Sequence, residues 1–106
     1  MEPLQFIIAR RALHDLDEIW DHLSRQAGAD VADGMNDRIM SAIGRLSRVP
    51  HIGHTRRDVA DPRYLFWVVR PYVIAYRREH DRLRVARVVH GARDFRRIFR
   101  SAPPAE

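Results

Sequence analysis

Residues 64–69, Tyr-Leu-Phe-Trp-Val-Val, are apolar at every position. A strand turns successive side chains to opposite faces, so this run needs cover on both sides and cannot lie on a sheet with one wet face. Two similar runs follow, 72–78 and 82–90, rich in Val, Ile and Tyr. Pro71 separates the first pair, Glu79-His80-Asp81 the second, and the three together read as an antiparallel meander. It ends in a glycine turn that carries His90, Arg93 and Asp94. Something beyond the obvious helices must sit on this sheet.

Those helices lie upstream. Residues 4–9, Leu-Gln-Phe-Ile-Ile-Ala, form a short β-type run, and Leu13, Leu16, Ile19 or Trp20, Leu23 and Ala27 then recur at helical spacing. His14, Asp15, Asp17, Glu18, Asp21 and His22 fall between them as a polar face. Gly28 is a natural stop and Asp30 a natural N-cap for a second helix with Val31, Met35, Ile39, Ile43 and Leu46 on one stripe. That helix must end before Pro50. An antiparallel helical hairpin follows, its Leu13, Leu16, Leu23, Met35, Ile39, Ile43 and Leu46 expected against the sheet. Residues 50–62 have no period, two prolines and a glycine, and read as an exposed loop. Phe95 to Arg100 is expected to form one short helical turn, and 101–106 a disordered tail.

At 106 residues the chain is one α+β domain, expected over 1–100. No apolar run nears the roughly 20 residues of a membrane span. The first residues, Met-Glu-Pro-Leu, lack a basic leader, and there is no cysteine, so a cytoplasmic location is expected without disulfides or Cys-based metal sites. The formal net charge is +5, carried by 19 basic residues that are all Arg. An acidic partner is implied, although arginine in place of lysine can reflect codon usage as readily as binding.

His90, Arg93 and Asp94 are the most enzyme-like cluster, but Asp94 can equally cap a following helix while Arg93 pairs with a nearby carboxylate. The capping reading is preferred, which leaves the turn as a partner-binding surface. His51 and His54 lack the further donors of a metal site, and Glu18 with His14 or His22 makes only one-turn pairs on a wet face. No phosphate loop or nucleophile elbow is present, so no metal and no cofactor is assigned. Tyr72, Ile74 and Tyr76 share one face of their strand, where core packing is the default, a protein partner's apolar segment the second choice, and base stacking ranks below both.

The ordered set Ala12-x-x-Asp15-Leu16-x-x-Ile19-Trp20, Leu46-x-x-x-Pro50-x-x-Gly53, Arg63, Tyr72-x-Ile74-x-Tyr76-Arg77 and Val89-His90-Gly91-Ala92-Arg93-Asp94 resembles the ParE branch of the ParE/RelE toxins of type II toxin-antitoxin modules. The resemblance runs from Phe6 to about Phe99. It implies a RelE/ParE-like α+β fold, with an N-terminal strand and a helical hairpin on an antiparallel sheet completed by the meander. It also implies a cognate antitoxin with an acidic or partly apolar segment, a toxin-antitoxin hetero-oligomer, and DNA gyrase as the target; the RelE alternative is ribosome-dependent mRNA cleavage. Nucleases of the RelE type carry lysines in the first meander strand, arginines in the second strand and the glycine turn, and a late tyrosine. The corresponding places here hold Tyr64 and Phe66, Val73, Arg93 and Phe99. Cutting RNA through its 2′-hydroxyl needs a base, an acid and a cation, which this set does not supply. The resemblance therefore implies a non-catalytic binder contacting its target or antitoxin through Arg63, Tyr72, Tyr76, Arg77, Arg87, His90, Arg93, Arg96 and Arg97. Antitoxin cover of the two-sided strand ranks above RNA stacking.

Overall fold

The computed structural model describes residues 3–59 and 61–99, so the expected tail at 101–106 lies outside the described residues. The elements run β1 (Gln5–Ile8), α1 (Arg10–Ala27), α2 (Ala29–Arg48), β2 (Leu65–Val69), β3 (Tyr72–Glu79), β4 (Arg82–His90) and α3 (Gly91–Phe99). The meander is antiparallel as its breakers require, with a cis Arg70–Pro71 bond in its first turn. Strand order is β1-β4-β3-β2. The one departure from an antiparallel sheet is β1, which joins β4 in parallel. With three strands in the meander, β4 runs in the direction of β2, and the helical hairpin brings the chain back so that β1 matches it.

The hairpin covers one sheet face. Ala12, Leu16, Ile39, Ile43 and Leu46 bury against Val69, Tyr72, Ile74, Tyr76, Leu83, Val85 and Val88, with Leu23 and Met35 half-buried at the margin. Leu13 does not belong to this core and is 50% exposed; Val31 is likewise exposed at 49%. The buried positions of α1 are Ala12, Asp15 and Leu16, followed by the half-buried Ile19 and Leu23. Leu13 lies about a quarter turn off that line. Trp20 is also off it, and its Nε1 donates to Asp33 Oδ1 at 2.8 Å across the hairpin. Gly28 stops α1 at φ 96°, where glycine is favoured, and serves as the N-cap of α2 as well. Asp30 is therefore within the first turn of α2 and makes no capping bond.

The opposite sheet face carries a second core of Val59, Tyr64, Phe66, Val73, Ala75, Ala86, Val89, Phe95 and Phe99. Its cover is α3, a nine-residue helix rather than the single turn expected. Phe95 and Phe99 lie one turn apart and meet Phe66 edge-on at 5.3 and 5.4 Å, and Tyr64 meets Phe99 at 6.4 Å. The chain itself thus supplies the cover that the two-sided strand demanded. Part of the 50–62 loop is drawn in with it: Val59 is buried, and His54 exchanges backbone hydrogen bonds with Phe66 at 2.7 and 2.8 Å.

Tyr76 fixes the end of α2 to the sheet. Its hydroxyl accepts from the Gly53 N–H at 2.9 Å and donates to the Pro50 carbonyl at 2.8 Å. A Cβ at Gly53 would collide with that ring, 2.8 Å from its Cε1, which explains glycine at this spacing after Pro50. Burial raises the Tyr76 hydroxyl above its ordinary pKa, so it stays a donor at neutral pH.

Thermal or denaturant unfolding should separate these roles. Ile39→Ala is expected to cost about 2–5 kcal/mol and Phe99→Ala about 3–5 kcal/mol, as fully buried positions do. Leu13→Ala should fall within about 0.5 kcal/mol of the parent. A costly Leu13→Ala would place the stripe of α1 wrongly. Tyr76→Phe should cost about 0.5–1.5 kcal/mol by removing hydrogen bonds to a part-buried carbonyl and N–H.

Candidate functional site

A cleft of about 330 Å³ opens where β4 runs out from under β1, between α1 and α3. Its floor is an ion pair that joins α1 to the sheet. Arg87 donates through Nε to Asp15 Oδ2 at 2.8 Å and through Nη2 to Asp15 Oδ1 at 3.0 Å, and Asp15 Oδ2 also accepts the Val88 N–H at 3.0 Å. Both residues are more than nine-tenths buried. β1 covers β4 only from Arg82 to Val85, so Asp15 satisfies an edge N–H that has no strand beside it. A register shift between Ala75 and Tyr76 makes Ala86 the extra residue of β4, at the point where Arg87 turns toward Asp15.

Two charged walls rise from this floor. On α1, Arg11 is exposed and His14 Nδ1 lies 2.8 Å from Glu18 Oε1. On the other side stand His90, Arg93, Asp94 and Arg97. The structure corrects the capping expectation here: His90, not Asp94, caps α3, its Nδ1 accepting the Arg93 N–H at 3.1 Å. Asp94 lies inside the first turn, 3.4 Å from both Arg93 Nε and Arg97 Nη2, so Arg93 does pair with a local carboxylate. Gly91 approaches β3 closely; a Cβ there would lie 3.1 Å from Val73 Cγ2.

The expected site residues divide three ways. Tyr72, Arg87, His90, Arg93 and Arg97 line the cleft, and Arg96 is exposed on α3 beside it. Tyr76, Tyr72, Arg77 and Arg87 are buried, at 0%, 2%, 6% and 8% exposure; Tyr76, Arg77 and Arg87 make hydrogen bonds within the fold, and the Tyr72 ring packs edge-on against His90. Arg63 and Arg77 form a separate cluster toward the β3–β4 turn: Arg63 Nη2 lies 2.8 Å from Asp61 Oδ2, and Arg77 lies 3.0 Å from Glu79 and over the Tyr64 ring. Hydrogen bonding from Arg63 lowers the Asp61 carboxyl from 3.8 to about 2. Arg11, His14, Glu18 and above all Asp15 were absent from the expected set. Asp15 is charged like the polar face of α1, yet its spacing from Ala12, Leu16 and Ile19 puts it on the buried line.

The positions that the resemblance sets against the cationic places of RelE-type nucleases come together. Tyr64, Phe66, Val73 and Phe99 meet in the second core, packed against one another, while Arg93 alone stays outside in the cleft. Among the described residues no group of three or more His, Cys, Asp or Glu is placed to hold a metal ion, and no helix is long and apolar enough to cross a membrane.

Two outcomes should follow from this geometry. Asp15→Ala should destabilise the fold by about 3–5 kcal/mol, since it strands a buried guanidinium and an edge N–H, while an apolar pair at Asp15 and Arg87 should recover the part due to the guanidinium and leave the Val88 N–H unmet. Recovery would mark the pair as structural. For Asp61 the folded pKa lies below the unfolded value, so its stabilising effect is present above about pH 4 and is lost as pH falls through about 2. Asp61→Asn should flatten that acid limb in a pH series of unfolding midpoints.

Comparison with known proteins places this arrangement. Residues 6–95 match the family model described as the ParE toxin of the type II toxin-antitoxin system parDE. Toxin ParE3 of Caulobacter vibrioides is 30% identical over 77 residues, which span 73% of this chain and 76% of that protein. Among solved structures, the chromosomal ParDE system of P. aeruginosa superposes with a TM-score of 0.72 at 22% identity, covering 82% of this chain and 95% of that one. The RelBE2 toxin-antitoxin complex of Mycobacterium tuberculosis gives 0.60 at 21% identity over 84% and 99%. At such identities the two structures speak for the fold alone, whereas the match over 6–95 decides the family: the chain belongs to the ParE toxins of type II toxin-antitoxin systems.

Proposed function

We propose that this toxin inhibits DNA gyrase by stoichiometric binding and is neutralised by a cognate antitoxin with an acidic, partly apolar segment. The observation that carries the reading is the filled second face. Where a nuclease of the RelE branch would need cations and a tyrosine, this chain packs Tyr64, Phe66, Val73 and Phe99 into a core under its own helix. A cation buried there would be strongly disfavoured, so this face holds no acid–base set of the kind that RNA cleavage on it would need. What remains accessible is binding chemistry. Arg93 and Arg97 in the cleft and Arg96 beside it offer planar two-pronged contacts to carboxylates or phosphates. The net charge of +5 favours an anionic partner surface.

Supercoiling by purified gyrase tests the proposal. The chain should inhibit with an occupancy-type dose response, and adding the antitoxin should restore supercoiling. Arg93→Ala and Arg97→Ala should each raise the inhibitory concentration roughly fivefold, the scale of one lost charged contact. His90→Asn keeps an acceptor at the start of α3 and should leave inhibition intact. Untouched gyrase, with translating mRNA cut within codons and cutting abolished by His90→Asn, would overturn the proposal in favour of the nuclease.

A further inference from the structure

We propose that the outer edge of β1 is a strand-addition site for an extended partner segment alternating apolar and acidic residues; the inference rests on the antitoxin reading above and gives that partner a docking edge. The Ala9 N–H donates to the Val85 carbonyl at 2.9 Å, so in the parallel ladder Gln5, Ile7 and Ala9 face β4. Phe6 and Ile8 then direct their N–H and C=O groups away from the sheet. The neighbouring Leu4 N–H is met by the Ser47 carbonyl at 2.7 Å, but no backbone group of the described residues meets those of Phe6 and Ile8.

The contrast with the other edges is what singles this one out. The outer edge of β2 is closed at Phe66 by His54 in both directions, and the uncovered end of β4 has its Val88 N–H taken by Asp15. β1 has no such cover, and no proline or charged residue within Gln5–Ile8 blunts it. It also exposes large apolar side chains, Phe6 at 41% and Ile7 at 36%.

Chemistry then favours one occupant. Phe6 pairs in register with Leu83, whose side chain lies in the hairpin-side core, while Ile7 pairs with Arg84 on the opposite face. There Ile7, Arg82 and Arg84 line a shallow cavity of about 430 Å³ whose Glu79 is already bound to Arg77 at 3.0 Å, and whose other charged side chain is Asp81. Arg84 Nε has no hydrogen bond and lies 3.8 Å from Glu79. An added strand would set alternate side chains beside Phe6, where apolar groups fit, and beside Ile7, where a carboxylate can reach the arginines. A second copy of this chain would bring another +5 charge to the same edge.

Amide hydrogen exchange on the full chain, alone and in complex with its co-expressed antitoxin, tests the inference alongside titration of variants. The Phe6 and Ile8 amides should slow at least about a hundredfold in the complex, the mark of a new backbone ladder. Phe6→Pro removes only an outward N–H, spares the β4 ladder, and should weaken binding by about tenfold or more. If that variant misfolds, Ile7→Glu should give the same loss by repelling the acidic face. Val68→Lys, exposed on the far edge, should bind as the parent does. A full-affinity complex in which both amides exchange as in the free chain overturns this inference and leaves the antitoxin reading standing. Absence of any complex overturns both, and a free chain that dimerises through Phe6 names a second copy as the occupant instead.

Discussion

The structure depends on a strand that is apolar on both faces and leaves only Val68 largely exposed. β2 sits beside β3 with apolar side chains on both sides, so the sheet must be a middle layer between two covers. The helical hairpin supplies one with Ile39, Ile43 and Leu46, and α3 supplies the other with Phe95 and Phe99. Because α3 follows β4 directly, with His90 as its cap and the Gly91 N–H bound to the Pro71 carbonyl, the second cover is built into the same turn that ends the meander.

That arrangement decides what chemistry is left on the surface. The second face is filled by packed aromatic rings of the chain itself. The charged groups are pushed to the margins of the sheet. One margin holds the Asp15–Arg87 pair and the cleft above it; the other holds Asp61, Arg63, Arg77 and Glu79, largely bound to one another.

Much of this could be read from residue order, and the failures have physical causes. The meander, the hairpin, the stop at Gly28 and the need for a second cover follow from periodicity and breakers alone. Leu13 misled because it is apolar and lies at helical spacing from Leu16 and Trp20, a neighbouring line to the one that turns inward. Asp15 misled in the opposite sense: a charged residue on the buried line is legible only once its partner, 72 positions away, is known. Residue type reports what Tyr76, Arg77 and Arg87 can bind and not that the fold already holds their polar groups. The length of α3 was understated since its helical signal rests on two phenylalanines among arginines.

If the second face is a true core, α3 must be as hard to open as the sheet beneath it. Native-state hydrogen exchange on the free chain measures this directly, comparing amides of Phe95–Phe99 with those of Ile74–Tyr76. Opening free energies for α3 should lie within about 1 kcal/mol of those for central β3. Amides of α3 that exchange close to the unprotected rate while β3 stays protected would contradict it, because the aromatic face would then be open to solvent and available for a substrate.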